Sequence, residues 1–331
     1  MNEQPLRGLL SLCDPSAGVP IAAGLRRRAT IPRMIRVAPR VAAALASSSP
    51  VVALESTVIA HGLPRPTNLE MAMLLEARLD DMGVVPATVG VVDGEVVVGM
   101  APDEIARIAA GGDVSKVSMR DLAAVSVAGA LGATTVATTM WAAARTGVRV
   151  MATGGIGGVH RGAGSTFDVS ADMGALATNR VAVVCSGAKS VLDIPKTLEV
   201  LESLGVPVVG YRTHEFPAFY SRSSRLPLDH VVTSARHAAE VIRAHAELGL
   251  SSGIVFANPV PEAEALPAED AEALVSAAVA AASDQGVEGK DLTPFLLAFI
   301  ADGSAGRSLQ ANLALLESNT IVAGEIAAAL A

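Results

Sequence analysis

The chain has 331 residues, 51% of them hydrophobic and 18% charged, a composition that excludes an intrinsically disordered protein. The formal net charge of −8 argues against a nucleic-acid-binding protein, because such a protein normally presents a basic face. Two distant cysteines, Cys13 and Cys185, exclude a disulfide framework and favour a reducing, cytoplasmic setting.

Residues 1–33 differ from the rest of the chain. They are rich in proline and glycine, contain the basic run Arg26–Arg28 and show no sustained hydrophobic period. They also lack the apolar core of a secretory signal, and an organelle transit peptide is the weaker alternative. We therefore predict a disordered extension over 1–33 and a single domain over 34–331, and we expect a chain that begins at Met34 to fold and to keep its activity.

From Val51 onward, short β-branched runs alternate with helical patterns, which predicts a layered α/β/α protein with a central mixed sheet flanked by helices. Asp93-Gly94 between two of the runs predicts a type I′ hairpin. Strands are predicted at 51–56, 87–92, 95–100, 116–119, 134–139, 148–153, 181–186, 206–211 and 253–257. Helices are predicted from 67 to 83, after Pro102, at 140–146, before Gly205, and at 234–248, 267–284, 293–301 and 308–330.

One uncharged stretch, 122–144, is long enough to span a bilayer. Its glycines and its cluster of threonines instead favour a buried helix, a stop at Gly132 and a strand. We therefore expect no membrane association.

A glycine-rich loop, 154–164, follows the predicted strand 148–153, at the sheet edge where open α/β proteins hold ligands. It is not a dinucleotide fingerprint, because His160 stands where that motif needs Gly or Ala. Its backbone N–H groups, with Thr153, His160 and Arg161, suit an anion. The alternative is a flexible surface loop.

Two titratable residues lie at the ends of predicted strands. Glu55 interrupts a buried run, which predicts either a general acid or base or a structural salt bridge. Lys189 follows the strand 181–186 among small neighbours, which predicts either a nucleophilic amine held away from water or a solvated surface lysine.

The segment 166–172 places Asp168 and Asp172 four residues apart. Such carboxylates suit a hard divalent cation, and there is no His/Cys cluster that would select zinc. From the residues alone, capping of a helix N-terminus by Asp168 or Ser170 is the better interpretation.

Taken together, these motifs resemble one family, the pseudouridine-5′-phosphate glycosidases, over about Met34 to the C-terminus. Met119 stands where the family usually has an arginine, which removes one cation near Lys116. The matching stretches are ALESTVIAHG (53–62), KVSMRDL (116–122), GATTVATTM (132–140), ATGGIGGVHRG (152–162), TFDVSAD (166–172), SGAKSVL (186–192), ANPVPE (257–262) and TPFLL (293–297), with a further match around Asn312.

The resemblance implies an enzyme that reversibly cleaves pseudouridine 5′-phosphate to uracil and ribose 5-phosphate. Lys189 would be the nucleophile that forms a Schiff base with the opened sugar, Glu55 the proton donor, and Asp168 the ligand, mainly through water, of one Mn²⁺ ion per subunit. The sugar phosphate would be contacted by Lys116, Val136, Ser170, Ala171 and Asp172, with His160 and Asn312 as further site candidates.

The resemblance also implies a homotrimer that acts in cytoplasmic pseudouridine catabolism beside a separate pseudouridine kinase. Two other hypotheses stay open at this point. One is a different lysine-dependent lyase acting on a phosphosugar, and the other is a non-catalytic phosphosugar-binding regulator. Testing uracil as a co-substrate separates the first of these, and tolerance of Glu55 replacement separates the second.

Overall fold

The computed structural model describes residues 34–287 and 292–331, so the predicted disorder of 1–33 lies outside the described residues. The strands are β1 (Ile35–Val37), β2 (Val51–Leu54), β3 (Val85–Val92), β4 (Glu95–Val98), β5 (Ser115–Val117), β6 (Gly132–Thr134), β7 (Val150–Ala152), β8 (Ala182–Cys185), β9 (Val208–Tyr211), β10 (His230–Val232) and β11 (Ile254–Ala257).

The helices are α1 (Pro39–Ala46), α2 (Thr67–Asp81), α3 (Pro102–Ala110), α4 (Leu122–Val127), α5 (Val136–Thr146), α6 (Ala163–Thr166), α7 (Ala171–Thr178), α8 (Ile194–Ser203), α9 (Ala235–Glu247), α10 (Ala268–Asp284), α11 (Leu292–Gly303) and α12 (Arg307–Leu330). A π-helical turn over Val58–Gly62 follows β2.

The strands join into one mixed sheet, in the order β1-β4-β3-β2-β7-β8-β11-β9-β10, with β6 on β3 and β5 on β6. The seven strands from β3 to β10 in this order run parallel, whereas β4 and β6 are antiparallel to β3. Strands β2, β8 and β11 are buried along their whole length, as parallel strands covered on both faces must be. The predicted mixed sheet is confirmed.

Two groups of helices cover the sheet. Helix α12 packs on β2, β7 and β8 with α2 and α9 beside it, while α5 packs on β2, β3 and β4 with α7 and then α8 next to it. By length and composition alone α12 could cross a membrane, but 56% of its most apolar window is buried inside the protein. It is therefore the central core helix of the sheet. The uncharged stretch 122–144 is divided among α4, β6 and α5.

The predicted hairpin is confirmed. Strands β3 and β4 are antiparallel, and the two residues between them have φ values of 51° at Asp93 and 85° at Gly94. Both angles lie in the left-handed region that a type I′ turn requires.

The predicted strand 134–139 is wrong. Strand β6 ends at Thr134, Thr135 is extended, and α5 begins at Val136. The threonines suggested a strand because of their β-branched side chains, but tertiary contacts override that preference. The Thr138 hydroxyl donates to the Val117 carbonyl at 2.9 Å, and Thr139 hydrogen bonds Thr134 at 2.9 Å. As a result Val136 lies in the first turn of a helix.

Candidate active site

Three neighbouring parallel strands end at one edge of the sheet and bring the candidate residues together. Glu55 follows β2, Thr153 follows β7, and the loop after β8 leads to Lys189. All three line a cavity of about 330 Å³, together with Lys116 and, from α12, Asn312. The carboxyl edge of parallel strands is where open α/β sheets hold ligands.

Glu55 is the buried acid of this cavity, with 5% of its surface exposed. The Thr153 hydroxyl donates to Glu55 Oε1 at 2.6 Å. Burial raises the pKa of Glu55 above its ordinary value, and the charges of Lys189 and Lys116 and the Thr153 hydrogen bond oppose this rise only in part. Burial therefore favours the protonated form of Glu55 more than it would for an exposed glutamate.

Lys189 is half-buried, and its loop is fixed by backbone geometry. Its N–H donates to the Ile156 carbonyl at 3.0 Å, which ties the loop to the glycine-rich segment. Gly187 before it has a φ of 82°, and a Cβ there would lie 2.1 Å from the Pro217 carbonyl oxygen. Only glycine fits this position, so the backbone that presents Lys189 is closely determined.

Asp172 joins the glycine-rich loop to the starts of two helices. Its carboxylate accepts from the Gly157 N–H at 2.7 Å and from the Ala137 N–H, in the first turn of α5, at 2.9 Å. Ser170 caps α7 by accepting from the Asp172 N–H at 3.2 Å, so Ser170 rather than Asp168 is the cap. The N-termini of α5 and α7 meet here, and helix N-termini favour anions.

This meeting point gathers four of the predicted substrate-binding residues: Val136, Ser170, Ala171 and Asp172. Beside it, Lys116 lies on β5 and pairs in register with Ala133 of β6. The positive charge of Lys116 acts on Glu55, His61 and His160, which places it among all three.

The chain is similar to known proteins over most of its length. Residues 40–329 match the family model described as Indigoidine synthase A like protein. Two relatives are named pseudouridine-5′-phosphate glycosidase. The one from Sorangium cellulosum is 52% identical to this chain, over 89% of this chain and 93% of the relative. The one from Hahella chejuensis is 50% identical, over 88% of this chain and 97% of the relative. The chain belongs to the pseudouridine-5′-phosphate glycosidase family.

Two solved structures share the fold of this chain. A prealnumycin C-glycosynthase in complex with ribulose 5-phosphate superposes with a TM-score of 0.83 at 38% identity, covering 90% of this chain and 97% of that chain. An indigoidine synthase A-like protein from Thermotoga maritima superposes with a TM-score of 0.81 at 36% identity, covering 89% of this chain and 95% of that chain. These likenesses make the chain an enzyme of this family.

In this chain, Asp168 is not among the described residues that line the cavity. Its side chain is 56% exposed, and its Oδ2 lies 3.7 Å from Nδ1 of His160. Over 34–287 and 292–331 there is no group of three His, Cys, Asp or Glu side chains arranged to hold a metal. One exposed carboxylate suits a hard cation that keeps most of its water ligands, and it does not suit a structural zinc ion.

The side chain of His160, next to this carboxylate, is only 23% exposed. Burial lowers the pKa of His160, the charge of Asp168 opposes that shift, and Lys116 and Lys189 add to it. His160 is therefore within electrostatic reach of both cavity lysines, although it does not belong to the described residues that line the cavity.

Sequence reasoning missed two polar residues. His61 lines the cavity, and its Nε2 is covered from solvent without a hydrogen-bond partner in the described structure. Thr135, directly before α5, has a buried hydroxyl that is likewise unpartnered there. The sequence places His61 six residues after Glu55, but it does not show that either group lacks a partner.

Proposed function

We propose that the chain reversibly cleaves the carbon–carbon glycosidic bond of pseudouridine 5′-phosphate, giving uracil and ribose 5-phosphate. The observation that carries the proposal is the pairing of a buried acid, Glu55, with a half-buried amine, Lys189, in one cavity. The names of the relatives support it, since they reach 52% identity over 89% of the chain.

The bond in question explains why an amine is needed. Protonating an oxygen or nitrogen cannot release a base that is attached through carbon, so two carboxylates of the usual glycosidase kind are insufficient. A lysine amine that forms an iminium with the sugar supplies an electron sink at the reacting carbon.

The steps are simplest in the direction of synthesis. The Lys189 amine adds to the C1 aldehyde of ribose 5-phosphate and one water leaves, giving an iminium. The C5=C6 electron pair of uracil attacks C1, and the electrons of the C=N bond move to nitrogen. Uracil C5 then loses its proton, and the sugar 4-hydroxyl closes the ring by displacing the amine. Glu55 moves protons in these steps, and in the cleavage direction it returns one to uracil C5.

The phosphate fits the meeting point of the two helix N-termini. Backbone N–H groups at Val136 and Ala171, the Ser170 hydroxyl and the Lys116 ammonium supply donors and positive charge for a phosphate. The unpartnered Thr135 hydroxyl at the start of α5 is a further donor. This set supplies the anion contacts even though Met119 stands where the family usually has arginine.

Asp168 would hold the divalent cation, with Mn²⁺ as the proposed ion, one per subunit. A bound Mn²⁺ would supply positive charge for the phosphate and would keep most of its water ligands, since only one carboxylate is at hand. His160 lies next to Asp168, with its Nδ1 3.7 Å from Asp168 Oδ2, and burial lowers the pKa of His160 and so disfavours its positive charge.

The assembly and setting of the enzyme follow from the family resemblance. We propose a cytoplasmic homotrimer that acts in pseudouridine catabolism beside a separate pseudouridine kinase. Exposed apolar side chains support a subunit interface, since Phe167 and Val127 are each 86% exposed. Light scattering that gives the mass of one subunit would contradict the trimer.

Incubation of the protein with ribose 5-phosphate, uracil and Mn²⁺ tests the function. We expect a C-nucleotide whose mass is that of the two substrates less one water. Consumption of ribose 5-phosphate without incorporation of uracil would show a different lyase, and binding without turnover would show a regulator.

A further inference from the structure

His61 is a polar residue of the cavity wall to which the proposed reaction steps assign no role. Other polar side chains of the wall are already engaged: Thr153 donates to Glu55 at 2.6 Å, Thr57 donates to the Ala133 carbonyl at 3.4 Å, and Ser190 hydrogen bonds the Tyr220 hydroxyl. His61 Nε2 is covered and unpartnered in the described structure. Because buried polar groups are nearly always hydrogen bonded, this nitrogen calls for a ligand.

The backbone around His61 also has an uncommon conformation, a π-helical turn. His61 lies in the π-helical turn Val58–Gly62, which comes three residues after Glu55. Single π-helical turns are rare and occur frequently at functional sites. The turn carries the His61 ring to the wall of the cavity that holds Glu55 and Lys189.

The wall around His61 combines apolar side chains with polar ones, a chemistry that suits a heterocyclic base. The apolar side chains of this wall come from five separate parts of the chain, and Asn312 adds a side-chain amide. The apolar wall residues are Val58, Val114, Val191, Phe219 and Leu297. An apolar slot with a few polar groups is the usual form of a small-molecule site, in which the polar groups fix orientation and specificity.

The charge state of His61 indicates which part of the substrate it meets. Burial lowers the pKa of His61, and the charge of Lys116 lowers it further. Burial also raises the pKa of Glu55, which lines the same cavity. A neutral imidazole offers one N–H donor and one acceptor nitrogen. That pair matches the N–H and C=O edge of a neutral pyrimidine, whereas Lys116 is the better partner for a phosphate.

We infer that His61 is a specificity-determining residue that hydrogen bonds the pyrimidine base. The ring turns about χ2 to direct its nitrogen into the cavity, and it gives up no Nε2 hydrogen bond in doing so. This inference rests on the proposed function, because it assigns the base within that reaction.

The test separates the base from the sugar phosphate. KM for uracil is measured at saturating ribose 5-phosphate in the native enzyme and in His61→Leu and His61→Gln. Borohydride trapping of ribose 5-phosphate, without uracil, is measured in parallel. The control is His237→Gln, at an exposed histidine of α9. We expect KM for uracil to rise about tenfold in His61→Leu and less in His61→Gln, with trapping unchanged in both.

Two results would overturn the inference while leaving the proposed function intact. One is native turnover with an unchanged KM for uracil in His61→Leu. The other is loss of trapping in both His61 variants in step with the rise in KM, which would place His61 on the sugar phosphate or in the support of the fold. A native enzyme that makes no C-nucleotide would overturn the proposed function and this inference together.

Discussion

Two hollows among the described residues, a larger one at the surface and a smaller one at the sheet edge, differ in the chemistry of the side chains that line them. A surface pocket of about 800 Å³ lies between α10 and the loops around 190–195 and 218–226. Its charges are paired: Arg161 with Glu272 at 2.8 and 2.9 Å, Asp193 with Lys196, and Arg225 with Glu269 at 3.6 Å. The cavity of about 330 Å³ instead holds a buried acid, a lysine at a glycine turn and an unpartnered imidazole nitrogen.

The difference indicates that a buried acid beside an amine, rather than volume, marks the candidate active site. An unpartnered atom alone does not distinguish the two hollows, because Arg161 Nε in the large pocket is also covered without a hydrogen-bond partner in the described structure. In the large pocket each ion is neutralised by a partner in contact with water, where such pairs contribute little. In the small cavity, burial shifts the proton affinity of Glu55 and leaves His61 Nε2 without a bond. Perturbed titratable groups in a cleft are characteristic of functional sites.

The sharpest way to break this comparison is to replace Lys189 in the cavity and, separately, Lys196, which pairs with Asp193 of the large pocket. We expect Lys189→Ala to abolish C-nucleotide formation, because the amine that forms the iminium is gone. The matched control is Lys196→Ala, which removes the exposed partner of Asp193 and should leave kcat within about twofold of native. Turnover by Lys189→Ala at the native rate would remove Lys189 from the mechanism.

The next largest effect is expected at the buried acid. Glu55→Gln should lower kcat by about 10²–10⁴, the usual contribution of a positioned acid or base. The matched control is Glu76→Gln on α2, because Glu76 is half-buried with a pKa that burial raises and also accepts a hydrogen bond from a threonine, Thr88, at 2.6 Å. Equal losses in the two variants would mean that burial, and not chemistry, explains the effect.

The pH dependence of unfolding measures the same raised pKa. Since burial raises the pKa of Glu55 above 4.5, the folded protein holds that proton more tightly than the unfolded chain. This contribution to stability is complete below the ordinary carboxyl pKa and is lost as pH rises through the raised value. Relative to the native protein, Glu55→Gln should therefore gain stability as pH rises in denaturant titrations. A difference that does not vary with pH would contradict the raised pKa.

A smaller and rescuable effect is expected at Asp168. Chelation should abolish activity and Mn²⁺ should restore it. Asp168→Ala should raise the Mn²⁺ concentration needed for half-maximal rate by at least about 10–100-fold, the loss that follows when even an outer partner of a metal site is removed. The folded state should be unaffected, as circular dichroism can check. Full activity after exhaustive chelation would refute the metal role.

The smallest effect is expected in the large pocket. Glu272→Gln breaks the ion pair with Arg161. The Glu272 side chain is 61% exposed. The cost should be at most about 1 kcal/mol, with kcat unchanged. Thermal melting and steady-state rates measure both quantities. A large loss of kcat would show that the two hollows are coupled through the glycine-rich loop.

The sequence could place Glu55 and Lys189 at strand ends because strand ends are local features, whereas their predicted roles as proton donor and nucleophile came from the family resemblance. Glu55 and Lys189 each follow an apolar run, and parallel strands bring such ends to one edge. The strand 134–139 failed because its threonines bond to distant partners such as Val117. The Arg161–Glu272 pair spans 111 positions, and no local pattern reveals it.

His61 was missed for a related reason. The sequence shows a histidine after a strand, but whether its nitrogen finds a partner depends on which residues fold against it. Thr135 was missed for the same reason. The sequence pattern predicts it in a strand, whereas it lies at the start of a helix, where its hydroxyl has no partner in the described structure. Hydrogen-bond satisfaction is a property of the packed structure, so local patterns cannot supply it.

Reductive trapping tests the central claim most directly. The protein is treated with ribose 5-phosphate and borohydride, digested, and mapped by mass spectrometry. The account predicts one reduced sugar phosphate per chain, attached to Lys189 and absent from Lys189→Ala, which should still bind the phosphate weakly. A label on Lys116 or Lys196 instead would contradict the assignment of the nucleophile, even in an enzyme that makes the expected C-nucleotide.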